Sequence, residues 1–230
     1  MPAVMQQVML APGGVAGGVA IQFLGAAVHT AATNMSFGAE AADRHILVVC
    51  RWQRGATPAN NIVQVRVNSV VATLDANSLT GSFGGGGSAV NQGGVAIALV
   101  ALPTGTSGPV AMQTGVGVYG TVHVYRVTGL NSATPVDTTA TAAYGTCSDT
   151  IDVQAGGVLV VATSSYRPGA SVATVVGTTT AYGAFENAAN YYSEDGVYSP
   201  AVTESGRTIS LGFGGTTAYI RTIMVAASYR

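Results

Sequence analysis

Ile46-Leu47-Val48-Val49-Cys50-Arg51-Trp52-Gln53-Arg54-Gly55-Ala56 and Val158-Leu159-Val160-Val161-Ala162-Thr163-Ser164-Ser165-Tyr166-Arg167-Pro168-Gly169-Ala170 carry almost the same pattern twice. Each is a buried-type apolar run of strand length, closed by an aromatic residue, an arginine and a Gly-Ala turn. Fainter echoes follow. Thr121-Val122-His123-Val124 resembles Thr222-Ile223-Met224-Val225, and Ser107-Gly108 and Ser205-Gly206 each precede a strand. This pattern predicts two similar β-halves, 18–130 and 131–230, packed against each other. It sets Ile46 level with Val158 and Thr121 level with Thr222. It points to a structural or binding protein rather than an enzyme built around one cleft.

Outward from these runs, strand candidates recur at short intervals. The first half offers Val19–Leu24, Ile46–Arg51, Ile62–Val67, Ser69–Leu74, Val95–Ala101, Val110–Gln113 and Thr121–Val127. The second offers Ile151–Val153, Val158–Thr163, Val172–Val176, Thr208–Phe213 and Tyr219–Ala226. Some alternate: Val63, Val65 and Val67 fall on one face, Gln64 and Arg66 on the other. Thr121–Arg126 alternates likewise. Val158–Val161 is continuously apolar, as in a sheet covered on both faces. The separators are turn chemistry, such as Thr104–Pro109, Arg167-Pro168-Gly169 and Glu204-Ser205-Gly206. Gly84–Gly87 reads as a loop tip. No segment has an amphipathic helical period. The expected class is all-β, an antiparallel jelly-roll-like β-sandwich. Residues 1–17 are apolar but irregular and read as an arm or linker.

Composition narrows the function. Charged residues make up 8% of the 230, against about 25% in ordinary globular proteins. All nine basic residues are arginine. The surface must therefore be built from Thr, Ser, Asn, Gly and Ala. That fits shielding in an assembly, with a homo-oligomer expected, or simply a GC-rich genome. A net charge of −1 without a basic cluster argues against nucleic-acid partners and anionic membranes. No stretch has the roughly 20 apolar residues that span a bilayer. Met1–Gln7 lacks a positively charged leader, so general secretory export is not expected. Cys50 and Cys147 make no disulfide framework, and Cys50 reads as a buried free thiol.

Recognised chemistry is sparse. Gly115-Val116-Gly117-Val118-Tyr119-Gly120 matches G-x-G-x-x-G, but a strand follows it, so no helix N-terminus could receive a pyrophosphate. A Walker loop needs a lysine, and there is none. His29, His45 and His123 lack zinc spacing. His123 reads as a solvated or hydrogen-bonded strand histidine. A glycosidase pair could draw on Asp75, Glu186, Glu194 or Asp195, yet Glu194-Asp195-Gly196 reads most simply as a turn. No catalytic residue, metal site or cofactor is expected.

One segment is rich instead. Tyr182 to Tyr198 holds four of the ten tyrosines, mixed with amides and acids: Glu186, Asn187, Asn190, Tyr191, Tyr192, Glu194 and Asp195. Rings can stack on the apolar face of a sugar while amides and carboxylates take its hydroxyls. The same residues could equally pack a sandwich edge or a subunit contact. The repeated strand exits are a second candidate. Trp52 with Arg51 and Arg54, and Tyr166 with Arg167, could grip an acidic sugar or cap the core. Asp43-Arg44 reads as a local cap or salt bridge.

Glu40–Val49, Val65–Thr73, Leu102–Gly108 and Val122–Leu130 together resemble structural proteins of tailed phages and gene transfer agents, of the tail-fibre, head-fibre or spike kind. Asn68-Ser69 stands where that pattern usually has glycines. The resemblance implies a non-enzymatic virion surface protein, assembled in the host cytoplasm. Residues 1–17 would attach it to capsid, portal-vertex or tail components. The tyrosine-rich segment would face outward, towards host surface polysaccharide. A decoration or connector role without receptor binding is the alternative, and a glycan-degrading enzyme a third.

Overall fold

The computed structural model describes residues 17–29, 32–54, 62–83, 91–114, 119–144, 146–166, 173–176, 180–182, 191–192, 194–213 and 221–230. Among the described residues, eight strands form the first half: β1 (Ala20–His29), β2 (Thr33–Ser36), β3 (His45–Arg54), β4 (Ile62–Val67), β5 (Val70–Phe83), β6 (Asn91–Ala101), β7 (Ser107–Thr114) and β8 (Tyr119–Thr128). Nine form the second: β9 (Asp137–Tyr144), β10 (Cys147–Val153), β11 (Val158–Tyr166), β12 (Ala173–Val176), β13 (Thr180–Tyr182), β14 (Tyr191–Tyr192), β15 (Asp195–Tyr198), β16 (Glu204–Phe213) and β17 (Arg221–Tyr229).

The first eight run β1-β8-β3-β6-β5-β4-β7-β2 as one antiparallel ladder. Strand β5 links its two layers, since Val70–Ala72 pair β4 and residues from Thr73 onward pair β6. This is jelly-roll order, with 1-8-3-6 in one layer and 5-4-7-2 in the other. The second half repeats it as β9-β17-β11-β15-β13 and β10-β16-β12, with β14 added beside β11.

The jelly rolls stack through their 1-8-3-6-type sheets, giving four layers and three apolar cores. The first core includes Ile46, Val48, Cys50, Trp52, Val65, Val110 and Val122. The second lies between the halves and joins Leu47, Val49, Ile97 and Val127 to Val158, Val160, Ile223 and Val225. The third holds Cys147, Ile151, Leu159, Val161, Ile209 and Met224. Hence β3 and β11 are apolar at every position from 46 to 50 and 158 to 162: they are central strands covered on both faces.

Four local expectations change. Setting Ile46 level with Val158 is one residue out. Ile46 faces the first core and Val158 the seam, so face-matched alignment puts Ile46 with Leu159 and Val122 with Met224. In β4, Ile62 joins Val65 and Val67 in the core, because a bulge between Ile62 and Gln64 shifts the alternation. Asp195 begins a strand rather than sitting in a turn. Arg44 is fully buried and forms no ion pair among the described residues.

Arg44 is instead a loop clamp. Its Nε donates to the Leu102 carbonyl at 2.6 Å, Nη1 to the Ala39 carbonyl at 3.0 Å, and Nη2 to the Thr104 and Gly105 carbonyls at 2.8 and 2.6 Å. One planar fork thus ties the loop before β3 to the loop after β6. Asp43 accepts the Gly129 N–H at 2.7 Å. The β4–β5 hairpin turns on Asn68 and Ser69, both at positive φ (49° and 70°), the geometry of a two-residue I′ turn.

Candidate functional site

The polar groups of greatest interest lie inside the seam between the jelly rolls. Three come from the first half: Arg51 near the end of β3, and His123 and Tyr125 two residues apart on β8. Because β8 is covered on both faces, Val122 and Val124 serve the first core while His123 and Tyr125 point into the seam. Asp195, at the start of β15, enters from the other side. Arg51 is 2% exposed; His123, Tyr125 and Asp195 are wholly buried.

Asp195 is the hub. Its Oδ1 takes an N–H from Arg51 Nη2. Its Oδ2 lies 2.7 Å from His123 Nδ1 and accepts the Tyr125 hydroxyl at 2.6 Å. Arg51 Nε also donates to the Thr163 carbonyl at 2.7 Å, and Nη2 to the Glu194 carbonyl at 3.2 Å. Thr163 holds that approach in place, since its N–H and its hydroxyl both donate to the Glu194 carbonyl, at 3.0 and 2.8 Å.

The ion pair fixes the rest. With Asp195 ionised against Arg51, His123 Nδ1 must carry the proton it donates to Oδ2. Nε2 is then a bare acceptor, and it has no hydrogen-bond partner among the described residues. Although His123 sits at ion-pair distance from Asp195, the imidazole is neutral. Burial, reinforced by the neighbouring guanidinium, holds its pKa well below the usual histidine value. Burial likewise lowers Arg51 to about 10, so it stays charged at neutral pH. Phe23 closes the site from β1, its ring 5.9 Å from that of His123 and 5.2 Å from that of Tyr125. A second link crosses the seam where the extra residue of a β5 bulge, Asp75, accepts the Tyr229 hydroxyl at 2.7 Å. Chemically, these groups bind the halves together.

Sequence-expected site residues are distributed differently. Asp195 and Trp52 are fully buried and offer no surface to a sugar. Trp52 belongs to the first core, lying across its strand partner Gly94, where an added Cβ would overlap the indole. Tyr198 is partly buried; its hydroxyl donates to Glu204 Oε1 at 2.6 Å and its ring stacks under Arg207, 3.5 Å away. Glu194 is partly exposed. Backbone pairing sets Tyr166 against Tyr191, Ser165 against Tyr192, and Tyr182 against Asp195, bringing these tyrosine positions to one end of the second half. Arg54 ends β3. Arg167, Glu186, Asn187 and Asn190 lie outside the described residues, as do residues 1–16 and Gly84–Gly87.

The sequence singled out Arg51, His123 and Asp195 separately but not their grouping, nor Tyr125, because alternation in β8 reads as a solvated polar face. The available signal was the continuous apolar run ending in Arg51, which marks a charge at the end of a doubly covered strand.

Among the described residues, no group of three His, Cys, Asp or Glu could hold a metal ion, and no helix is long and apolar enough to cross a membrane. Comparison with known proteins finds no matching family model, no matching curated protein and no matching solved structure.

Proposed function

We propose that the chain is a non-enzymatic structural subunit of a virion surface, a spike or fibre component that binds host polysaccharide through its tyrosine-rich segment. The observation that carries this reading is the backbone pairing of β11, β13, β14 and β15. It gathers Tyr166, Tyr182, Tyr191 and Tyr192, scattered over 27 positions of sequence, at one end of the second jelly roll. Aromatic residues gathered at a sheet end can offer a sugar large contact area at little entropic cost. The likeness of Glu40–Val49 and Leu102–Gly108 to phage structural proteins supports the virion setting. Engagement of Asp195 by Arg51 and of Asp75 by Tyr229 favours a non-catalytic role, since neither carboxylate is free to flank a glycosidic bond.

The test is binding of the purified protein to host cells, with and without their surface polysaccharide. Wild type should bind only the former. Tyr191→Ala with Tyr192→Ala should lose binding without a fall in melting temperature. Equal or absent binding to both cell types would refute receptor binding and favour the decoration role.

A further inference from the structure

The cross-seam hydrogen bonds are concentrated on one buried carboxylate, and among the described residues the imidazole beside it has no acceptor for a second proton. From this geometry we propose that the seam between the two jelly rolls is an acid-sensitive joint, with His123 as its trigger. In the closed state Asp195 balances one cation, Arg51, and takes neutral donors from His123 and Tyr125. Protonating His123 at Nε2 would place a second cation 3.4 Å from Arg51 Nη1, measured from Nδ1, with a single carboxylate between them. The added N–H would meet no described partner. Opening the seam hydrates the imidazolium and relieves both costs.

Among the described residues, the groups facing His123 are Arg51 from β3, Tyr125 from its own strand, Phe23 from β1, Asp195 from β15, and the Thr163 and Glu194 carbonyls that hold Arg51. The Glu194 side chain, partly exposed, adds a negative charge near Arg51. The other titratable cross-seam pair acts in the opposite direction. Burial raises the pKa of Asp75, so acid protonates it early, and a neutral carboxyl still accepts from Tyr229 through its carbonyl oxygen.

The sign follows from linkage. The closed form holds His123 below its free pKa of about 6.5, and the open form restores it. Between those two values, each unit of acidification multiplies the open/closed ratio by up to about ten for this one group. Neutral pH keeps the joint shut.

The experiment uses the full chain. Binding of an apolar fluorescent dye is followed from pH 7.5 to 4, alongside far-ultraviolet circular dichroism. Wild type should begin to bind dye below pH 6.5 while keeping its strand signal. His123→Gln can still donate to Asp195 but cannot charge, so its profile should move at least one unit towards acid. Coincident profiles would overturn the proposal, and so would loss of strand signal together with dye binding. If His123→Gln does not fold, the wild-type His123 ring is titrated by NMR. A ring that stays neutral until the dye transition supports the joint. Ordinary titration near 6.5 with the seam still closed overturns it.

Discussion

Asp195→Asn preserves side-chain shape and removes one charge. Arg51 would then remain 2% exposed with carbonyls as its partners, its buried counter-ion gone and the partly exposed Glu194 side chain left as a weaker negative charge nearby. Stranding one member of a buried pair costs about 3–5 kcal/mol. For a chain of this size each kcal/mol lowers the melting temperature by roughly 2–4 °C, so a fall of about 6–20 °C is expected. Arg51→Met should cost less. The carboxylate would keep its donors from His123 and Tyr125, and the ring, freed from the guanidinium, could take up a proton and become the counter-ion. In the double variant no charge is stranded, so its cost should fall short of the summed single costs by about 2 kcal/mol. Urea melts at pH 7.5, monitored by circular dichroism, measure all four species, and unchanged slopes would confirm a common unfolding reaction. Additivity within about 0.5 kcal/mol would refute the claim that these residues act as one buried unit.

Four further outcomes are expected. Ser69→Gly should stabilise the protein by about 0.5–1 kcal/mol, because serine bears the cost of φ 70° in the hairpin; a lower denaturation midpoint would contradict this. Gly94→Ala should cost about 1–3 kcal/mol by displacing the Trp52 indole, visible as a red-shifted emission from the sole tryptophan. Arg44→Lys, despite keeping the charge, should cost about 2–4 kcal/mol and speed amide exchange in the 102–105 loop, since an ammonium cannot span both loops. The Cys50 thiol, pushed up to about 12 by burial despite Arg51 alongside, should resist thiol reagents at pH 8 until the protein is unfolded; rapid labelling of the native protein would contradict its burial.

Much of the fold was legible because central strands cannot hide their pattern. Ile46–Cys50 and Val158–Ala162 announce two doubly covered strands, and Gly/Pro punctuation without helical period leaves an antiparallel sandwich. Strand β9 was missed because its sequence, Asp137-Thr138-Thr139-Ala140-Thr141-Ala142-Ala143-Tyr144, has no large side chain before its last residue; its pairing with β17 creates it. Strand β2 was missed for its brevity. Asp75 read only as a possible glycosidase carboxylate and Asp195 as a turn residue, because nothing local records a bulge that re-aims a side chain or a strand entering beneath an arginine.

The sequence by itself determined the class, the duplication and the burial of the central strands, because those follow from side-chain period and turn chemistry within a few residues. Tertiary structure decided which face of each strand meets which partner. A one-residue shift in alignment exchanges core for seam, and only the stacking of the two sheets turns Arg51, His123 and Tyr125 from an apparent solvent face into a buried network around Asp195.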